Sequence, residues 1–358
     1  MYAVIMAGGK GTRFWPRSRE KMPKHLLDIL NDKTIIRQTV DRITPLIPPE
    51  RILIVTASSH VDVLFEQVPD IPRENILIEP VGRNTAPCIG LAALHLRRRA
   101  PGAVMVVLPA DHSIEKGDRF RHILAAAAET ARKEACLVTV GIVPTGPETG
   151  YGYLEKGERV GQVLGEDVYK VRSFREKPKI EQAEAFLRQG GYLWNSGMFV
   201  WKASVILDAI ALHLPRVYDR LRDIEDALDT PEEPTVLDRA YRSMEPISID
   251  YGVMEKSKHV LVLGGDFGWS DVGSWDALWE ITAKNDKGNA FRGEGPFVDI
   301  DTRNSLIISP KKLVALVGVE DLVVVETGDA LLICRRGNSQ TVKRVVETIE
   351  AEKWTEYL

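Results

Sequence analysis

The 358-residue sequence has no large excess of charge of one sign, because 47 Lys and Arg side chains are balanced by 51 Asp and Glu side chains. The formal net charge is −4. No long Lys/Arg block provides the basic footprint that binding to a nucleic-acid duplex requires. We therefore expect no nucleic-acid partner.

Long apolar runs and cysteine pairs are also missing. No stretch approaches the roughly 20 apolar residues that cross a bilayer, and Met1 to Met6 lead into a glycine loop without a charged leader segment. We expect neither membrane insertion nor secretion. The three cysteines, Cys88, Cys136 and Cys334, form no CxxC pair and have no histidines at metal-ligand spacing. This favours reduced thiols and a cytoplasmic protein.

Strand-like apolar runs alternate with helical patterns through the first half of the chain. The predicted strands are Ala3–Met6, Ile52–Thr56, Ile76–Glu79, Val104–Leu108 and Leu137–Ile142. The predicted helices are Ile35–Ile43, Val61–Gln67, Ala86–Arg99 and Phe120–Glu134. This alternation predicts an α/β fold with a Rossmann-like, mixed but mostly parallel sheet and helices on both faces. Ligands of such sheets bind at the carboxyl ends of the strands.

The second half has a different pattern. Strands are expected near Val168–Phe174 and Met198–Trp201, and one helical stretch from Ala203 to about Leu228 is expected to end in a loop at Pro231–Pro234. Short β runs then follow, so we predict a domain of residues 1–285 and a small β domain of residues 286–358. Its last segment predicts an amphipathic helix capped by Ser339, with apolar residues Val342, Val345, Val346 and Ile349.

A glycine loop follows the first predicted strand, at Gly8, Gly9 and Gly11. Such a loop lets backbone N–H groups approach a phosphate closely. A dinucleotide fingerprint would need glycine at Phe14, and a Walker loop would need glycine at Val4, so both are excluded. Two cations close by in sequence, Arg13 and Lys24, favour a polyphosphate ligand, although two isolated surface cations are the simpler alternative.

The motif Gly8-Gly-Lys-Gly-Thr-Arg-Phe-Trp-Pro-Arg-Ser-Arg19, followed by Pro23-Lys24, resembles the signature of sugar-1-phosphate nucleotidylyltransferases. Its Trp-Pro-x-Ser-Arg extension and the segment Gly82–Pro87 are similar to those of mannose-1-phosphate guanylyltransferases. The resemblance covers nearly the whole chain. His25 stands where many members have Gln, and we expect it to affect only packing beside the loop.

The resemblance implies transfer of the nucleotidyl group of GTP to α-D-mannose 1-phosphate, giving GDP-mannose and pyrophosphate. Arg13, Lys24 and Lys177 are the implied catalytic residues. The implied nucleotide-binding residues are Ala7, Gly8, Gly9, Gly11, Thr12, Arg13, Lys24, Arg83 and Asn84. Guanine needs acceptors for its N1–H and N2 groups and donors for O6 and N7, and side chains at Arg83 and Asn84 are suited to face it. Alternatively, this segment is simply a capped helix start.

Two aspartates are suited to hold Mg²⁺, which takes one or two carboxylates beside water and phosphate. Asp111 follows the strand Val104–Leu108, and Asp271 lies in a Gly-Trp-Ser-Asp segment. An aspartate at a strand end is otherwise a cap or turn former. The resemblance implies that both bind the metal. We expect His112 to cap or pack rather than to act as a base, since the attacking phosphate is already ionised.

The resemblance also implies a sugar-phosphate site. In the turn Arg175–Pro178, Glu176 is implied to bind a sugar hydroxyl, and Lys177 is implied to bind the phosphate of the sugar phosphate. Asn195 is the implied sugar-binding amide. Further sugar-site residues are Tyr151, Gly152 and Asp250, for which ordinary loop packing is the alternative.

Several expectations follow for the protein as a whole. The terminal β domain resembles the left-handed β-helix-like domain of these enzymes, which can assist dimerisation, so we expect a homodimer. Since the chain ends at Leu358, a second isomerase domain is not expected. Two other functions stay open: a regulatory subunit that only binds nucleotide sugars, and a sister enzyme that uses glucose 1-phosphate with UTP, dTTP or ATP.

Overall fold

The computed structural model describes residues 1–358. The strands, numbered in chain order, are β1 Tyr2–Ala7, β2 Ile52–Ala57, β3 Ile76–Glu79, β4 Val104–Pro109, β5 Ser113–Ile114, β6 Leu137–Ile142, β7 Tyr153–Val163, β8 Glu166–Arg175, β9 Tyr192–Lys202, β10 Val260–Gly265, β11 Trp269–Ser270, β12 Ala290–Arg292, β13 Phe297–Ile300, β14 Leu306–Ile308, β15 Val314–Val317, β16 Leu322–Glu326 and β17 Leu331–Arg335. The α-helices are α1 Ile35–Ile43, α2 Val61–Gln67, α3 Thr85–Arg99, α4 Gly117–Lys133, α5 Ile180–Gln189, α6 Ala203–His213, α7 Pro215–Ala227, α8 Glu233–Ser243, α9 Trp275–Ile281 and α10 Val342–Ala351.

The chain divides into two compact units. The first comprises residues 1–8, 39–110 and 114–269, and the second comprises residues 9–38, 111–113 and 270–358. The predicted boundary between residues 285 and 286 stays a prediction. No helix is both long and apolar enough to cross a bilayer.

The first unit contains a nine-stranded sheet in the order β3-β2-β1-β4-β9-β6-β10-β8-β7. Strands β1 to β4 pair in parallel, as do β6 and β10, whereas β9 is antiparallel to both β4 and β6. Because β9 runs the other way, its first half lies beside the carboxyl end of β6, with Asn195 opposite Gly141. The expectation of a mixed, mostly parallel sheet is confirmed.

Helices cover both faces of this sheet. The helices α3, α6, α7 and α8 share one apolar cluster with Met105 and Val107 of β4. Side chains alternate along a strand, so the other face of β4 is the one that α4 contacts. Fully buried Val, Ile and Leu in β1, β2 and β4 explain why the sequence reads as continuous apolar runs there.

Two expectations about the middle of the chain are wrong. The helical stretch from Ala203 is not continuous, because it breaks at Leu214 and restarts at Pro215, whose ring is compatible with a first helical turn. The segment after Pro231 is not merely a loop. Pro234 lies in the first turn of α8. This helix was not predicted because prolines are typical of a loop, although a proline is compatible with a first helical turn.

The second unit has its own core. A four-stranded sheet in the order β12-β14-β16-β17 and the pair β13-β15 confirm the predicted small β domain. The core joins Phe14 and Trp275 to apolar residues of these strands and of α10. The amphipathic helix is confirmed, but Ser339 does not cap it. Its hydroxyl instead donates to the Asp276 carboxylate, and Ser339 begins a short 3-10 turn before α10.

Candidate active site

The glycine loop leaves β1 at Ala7 and turns through two left-handed positions, Gly9 at φ +91° and Gly11 at φ +62°. A Cβ atom built on Gly8 meets no atom within 4 Å, whereas one on Gly11 would lie 2.6 Å from Cβ of Lys24. Ser18 Oγ donates to the Gly11 carbonyl over 2.8 Å. Gly11 is therefore needed for close packing on Lys24, while Gly8 borders open space.

Lys24 is almost fully buried, with 7% of its side chain exposed. Its Nζ donates to Oδ2 of Asp111 over 2.7 Å and to the backbone oxygen of Asp271 over 2.6 Å. The ring of Phe14 lies 5.6 Å from the same nitrogen. The structure thus brings the predicted phosphate lysine and both predicted metal aspartates together around one ammonium group.

The pKa of Asp111 reflects two opposing effects. Loss of solvent around the carboxyl acts to raise its pKa, but the charges of Lys24 and His112 and the Lys24 hydrogen bond outweigh this effect. The pKa of Asp111 therefore lies well below its ordinary value. His112 Nε2 lies 4.0 Å from Asp111 Oδ1. Asp111 is a carboxylate at neutral pH and retains 38% exposure of its side chain for a further ligand.

The second aspartate is held by its own turn. Asp271 Oδ1 accepts a hydrogen bond from the Gly273 N–H over 3.0 Å, and a Cβ on Gly273 would lie 2.7 Å from Oδ2. No group of three or more His, Cys, Asp or Glu side chains is arranged to hold a metal ion. The two aspartates alone are the available carboxylate ligands, a number that suits Mg²⁺ completed by phosphate and water.

Arg13 lies in the 3-10 turn Thr12–Phe14 directly after the glycine loop. Its Nη1 donates to Oε1 of Gln340 over 3.0 Å. Sequence reasoning did not identify Gln340, since 327 residues separate it from Arg13 and no local pattern links them.

The predicted sugar-phosphate residues converge in the first unit. Asn195 Nδ2 donates to Asp250 Oδ1 over 2.8 Å, and the Asn195 N–H donates to the Gly152 carbonyl over 2.8 Å. A Cβ on Gly152 would lie 2.4 Å from Oε2 of Glu176. Lys177 Nζ lies 3.1 Å from Glu176 Oε1. Five of the six predicted sugar-site residues, Gly152, Glu176, Lys177, Asn195 and Asp250, thus lie next to one another.

This cluster holds two acids that are largely removed from solvent, Glu176 and Asp250, and one of their oxygens has no hydrogen-bond partner. Glu176 Oε2 is buried and accepts no hydrogen bond. Burial raises the pKa of Asp250 to about 6, and the negative charge of Glu176 acts in the same direction against the Asn195 hydrogen bond. Buried carboxylate oxygens without donors are satisfied when hydroxyl groups reach them.

Tyr151 lies between two tryptophans. Its ring centroid is 5.1 Å from that of Trp194 and 5.2 Å from that of Trp269, both in edge-to-face geometry. Aromatic packing of this kind fixes the segment that leads into Gly152.

The side chains of the guanine candidates make contacts within the fold. Arg83 donates from Nε to the Tyr241 carbonyl and from Nη2 to the Arg242 carbonyl, each over 2.7 Å. Asn84 has φ +69°, and its Oδ1 accepts from the Thr85 N–H over 2.8 Å as the N-cap of α3. Guanine recognition by Arg83 and Asn84 stays a prediction.

One further contact was not predicted. The Glu176 N–H donates to Oε1 of Glu255 over 3.0 Å. Nothing in the local sequence indicates this contact, because Glu255 reads as an ordinary surface residue and lies 79 positions away.

The chain matches two family models. Residues 2–288 match the nucleotidyl transferase family, and residues 295–349 match the MannoseP isomerase/GMP-like beta-helix domain. The match of the second model confirms the resemblance of the C-terminal segment to a β-helix domain.

Similar proteins carry consistent names. The mannose-1-phosphate guanylyltransferase of Klebsiella pneumoniae is 41% identical over 99% of this chain and 75% of its own length. The Escherichia coli K12 enzyme of the same name is 40% identical over 98% of this chain and 74% of its own length.

Solved structures are also similar. A crystal structure described as mannose-1-phosphate geranyltransferase from Thermus thermophilus is 35% identical, with a TM-score of 0.88 over 98% of this chain and 99% of that chain. A mannose-6-phosphate isomerase from Helicobacter pylori, 24% identical over 75% of this chain and 100% of that chain, shares the fold with a TM-score of 0.61. By sequence and structure, the chain belongs to the mannose-1-phosphate guanylyltransferase family of nucleotidyl transferases.

Proposed function

We propose that this protein transfers the guanylyl group of GTP to α-D-mannose 1-phosphate and releases pyrophosphate. A phosphate oxygen of the sugar phosphate attacks the α-phosphorus of GTP in line. The bond from that phosphorus to the oxygen that bridges it to the β-phosphorus breaks, and this oxygen leaves as part of pyrophosphate. The attacking oxygen is already ionised, so the reaction needs positioning and charge neutralisation rather than a base. The buried Lys24 ammonium, held by Asp111 at the glycine loop, is the observation that carries this proposal.

On the nucleotide side, Ala7, Gly8, Gly9, Gly11 and Thr12 would supply backbone groups around the phosphates. Arg13 and Lys24 would neutralise the charge that develops on the leaving pyrophosphate. Since Arg13 is exposed and bound to a neutral amide, it exchanges that contact for a phosphate at little cost.

The donor set fits a magnesium ion. Asp111 and Asp271 both contact the Lys24 ammonium, the first through its carboxylate and the second through its backbone oxygen, and each offers carboxylate oxygens, the ligand type that Mg²⁺ prefers. The ion supplies charge stabilisation at the phosphates when bound. Lys24 keeps the pKa of Asp111 low, so this ligand is ready in its ionised form.

On the sugar side, Lys177 would hold the phosphate of mannose 1-phosphate, since 57% of its side chain is exposed. The buried Glu176 and Asp250 carboxyls and the Asn195 amide would bind sugar hydroxyls. Tyr151 and Gly152 shape this site. We further propose that Arg83 and Asn84 contribute to guanine binding through their loop.

The decisive experiment measures pyrophosphate release from mannose 1-phosphate with each of GTP, ATP, UTP and dTTP in the presence of Mg²⁺. We expect strong release with GTP and its collapse in Asp111→Asn. Preference for another nucleotide with glucose 1-phosphate would indicate the sister activity. Binding of GDP-mannose without release from any nucleotide would indicate a regulatory subunit instead.

We also propose a cytoplasmic homodimer. The three cysteines are free thiols, as expected in a reducing compartment. On the pair β13-β15, Ile300 and Val317 are opposite each other and are 52% and 63% exposed. An apolar pair of this kind suits contact with a second copy. Light scattering should show a dimer that Ile300→Lys dissociates, while Val160→Lys, at an exposed site on β7, leaves it intact. Fractionation of cells tests the compartment.

A further inference from the structure

The backbone at Lys177 adopts an uncommon conformation. Its φ is +47°, in the left-handed region that non-glycine residues avoid. The following Pro178 restricts the residue before it still further. Such a conformation persists only where surrounding groups hold it in place. The contact between Lys177 Nζ and Glu176 Oε1 joins neighbours within the same turn and therefore does not anchor the turn to the rest of the fold.

Glu255 provides that anchor. Its Oε1 accepts the hydrogen bond from the Glu176 N–H over 3.0 Å, at the residue directly before Lys177. A carboxylate acceptor makes this bond stronger than one between neutral groups. The bond fixes the turn at the end of β8 to a different segment of the chain.

The anchoring segment is itself well held. Glu255 directly follows a π-helical turn, Asp250–Met254, and its own N–H donates to the Asp250 carbonyl over 3.0 Å. Val253 and Met254 are buried in the core of the first unit. Single π-helical turns are rare in proteins, and those that occur often lie at functional sites. The turn begins at Asp250, which accepts the hydrogen bond from Asn195, and Glu255 is the residue directly after its end.

We infer that Glu255 is a positioning residue of the sugar-phosphate site. It acts through the Glu176 N–H, sets the direction of Lys177, and fixes the distance between the Glu176–Lys177 turn and Asp250. It does not touch the substrate in this role. The inference rests on the proposed function only for its kinetic consequence, because the hydrogen bond itself is present without substrate.

Two substitutions test this role. Glu255→Ala removes the acceptor, and Glu255→Gln keeps an oxygen in its place. We expect Glu255→Ala to raise the KM for mannose 1-phosphate about tenfold with the KM for GTP unchanged, because a misplacement of about 1 Å can cost about a hundredfold and a smaller displacement costs less. Glu255→Gln should restore most of the affinity. Glu245→Ala is the control, since that carboxylate is 86% exposed.

A second measurement does not depend on activity. Hydrogen exchange at the Glu176 amide of the substrate-free protein should be faster in Glu255→Ala and close to wild type in Glu255→Gln. Wild-type kinetics in Glu255→Ala, equal losses for both substrates, or no rescue by Gln would each overturn the inference. If wild type releases no pyrophosphate, the proposed function fails, and exchange at Glu176 still decides whether Glu255 holds the turn. If Glu255→Ala does not fold, Glu255→Asp replaces it, because its shorter side chain loses the contact.

Discussion

The Nζ atom of Lys24 lies 2.7 Å from Oδ2 of Asp111, in a position where the lysine side chain is 7% exposed. A buried ammonium requires a charged or well-bonded partner, because an unpaired charge inside a protein is costly. The same nitrogen reaches the Asp271 backbone. Lys24 therefore organises the predicted metal aspartates in addition to its proposed role at the leaving phosphate.

Replacing Lys24 by Met should lower kcat/KM by about a hundredfold or more, the usual cost of removing a group that stabilises developing charge. Exposed Lys21→Met is the matched control and should retain activity. The measurement is steady-state pyrophosphate release. Equal activity of both variants would show that the Lys24 charge does not act on the reaction.

The same substitution should change the response to acid. The depressed pKa of Asp111 means that its ionised form stabilises the folded state above the unfolded pKa of about 3.9, and that this contribution is lost as pH falls through the folded pKa. Lys24→Met removes the main cause of the depression. The stability difference between wild type and variant, measured by urea unfolding, should therefore shrink below about pH 4. A difference that stays constant with pH would contradict this coupling.

Gly11→Ala should damage the loop through Lys24. The new Cβ would lie 2.6 Å from Lys24 Cβ and 2.9 Å from its backbone nitrogen, and φ is +62°. We expect a loss of stability of about 1–3 kcal/mol, typical of strain at such a position. Gly8→Ala is the control, since its Cβ meets nothing within 4 Å and its φ is not positive. It should unfold like wild type yet raise the KM for GTP if phosphates approach this backbone. Thermal unfolding and kinetics of both variants check this.

Gly152→Ala should impair only the sugar side. Its Cβ would approach Glu176 Oε2 to 2.4 Å and Asn195 Cβ to 3.2 Å. Since Glu176 must move away, we expect the KM for mannose 1-phosphate to rise about tenfold or more, with the KM for GTP preserved. Gly150→Ala, where a Cβ meets nothing within 4 Å, provides the comparison. If the two alanines behave alike, Glu176 does not bind the sugar.

Much of this architecture was predictable because it depends on local signals. Strand β6 and helix α1 lie at the predicted bounds, since apolar periodicity reports which face is buried. The position of Asp111 after the end of β4 was likewise predicted, because strand ends and ligand sites coincide in parallel sheets, while its role as a metal ligand stays a prediction.

Contacts between distant residues were not predictable in this way. The sequence does not indicate that the guanidinium of Arg83 bonds the carbonyls of Tyr241 and Arg242 at the end of α8, and guanine binding by Arg83 stays a prediction. The same applies to Glu255 and Gln340, whose partners lie 79 and 327 positions away. A side chain that satisfies a distant backbone group leaves no periodic trace in the sequence.

The last prediction concerns Asp250. Burial and the negative charge of Glu176 raise its pKa to about 6. Between the unfolded pKa of about 3.9 and this value, the folded protein holds a proton that the unfolded chain has released, so stability falls as pH rises through this window. Asp250→Asn removes this penalty. Its effect on the free energy of unfolding should be about 2–3 kcal/mol more favourable at pH 7.5 than at pH 4, given 1.36 kcal/mol for each pKa unit. Substrate-free protein is used, because phosphates also titrate near pH 6. Glu176→Gln should lower the pKa of Asp250 and narrow the difference, whereas an effect independent of pH would mean that Asp250 ionises normally.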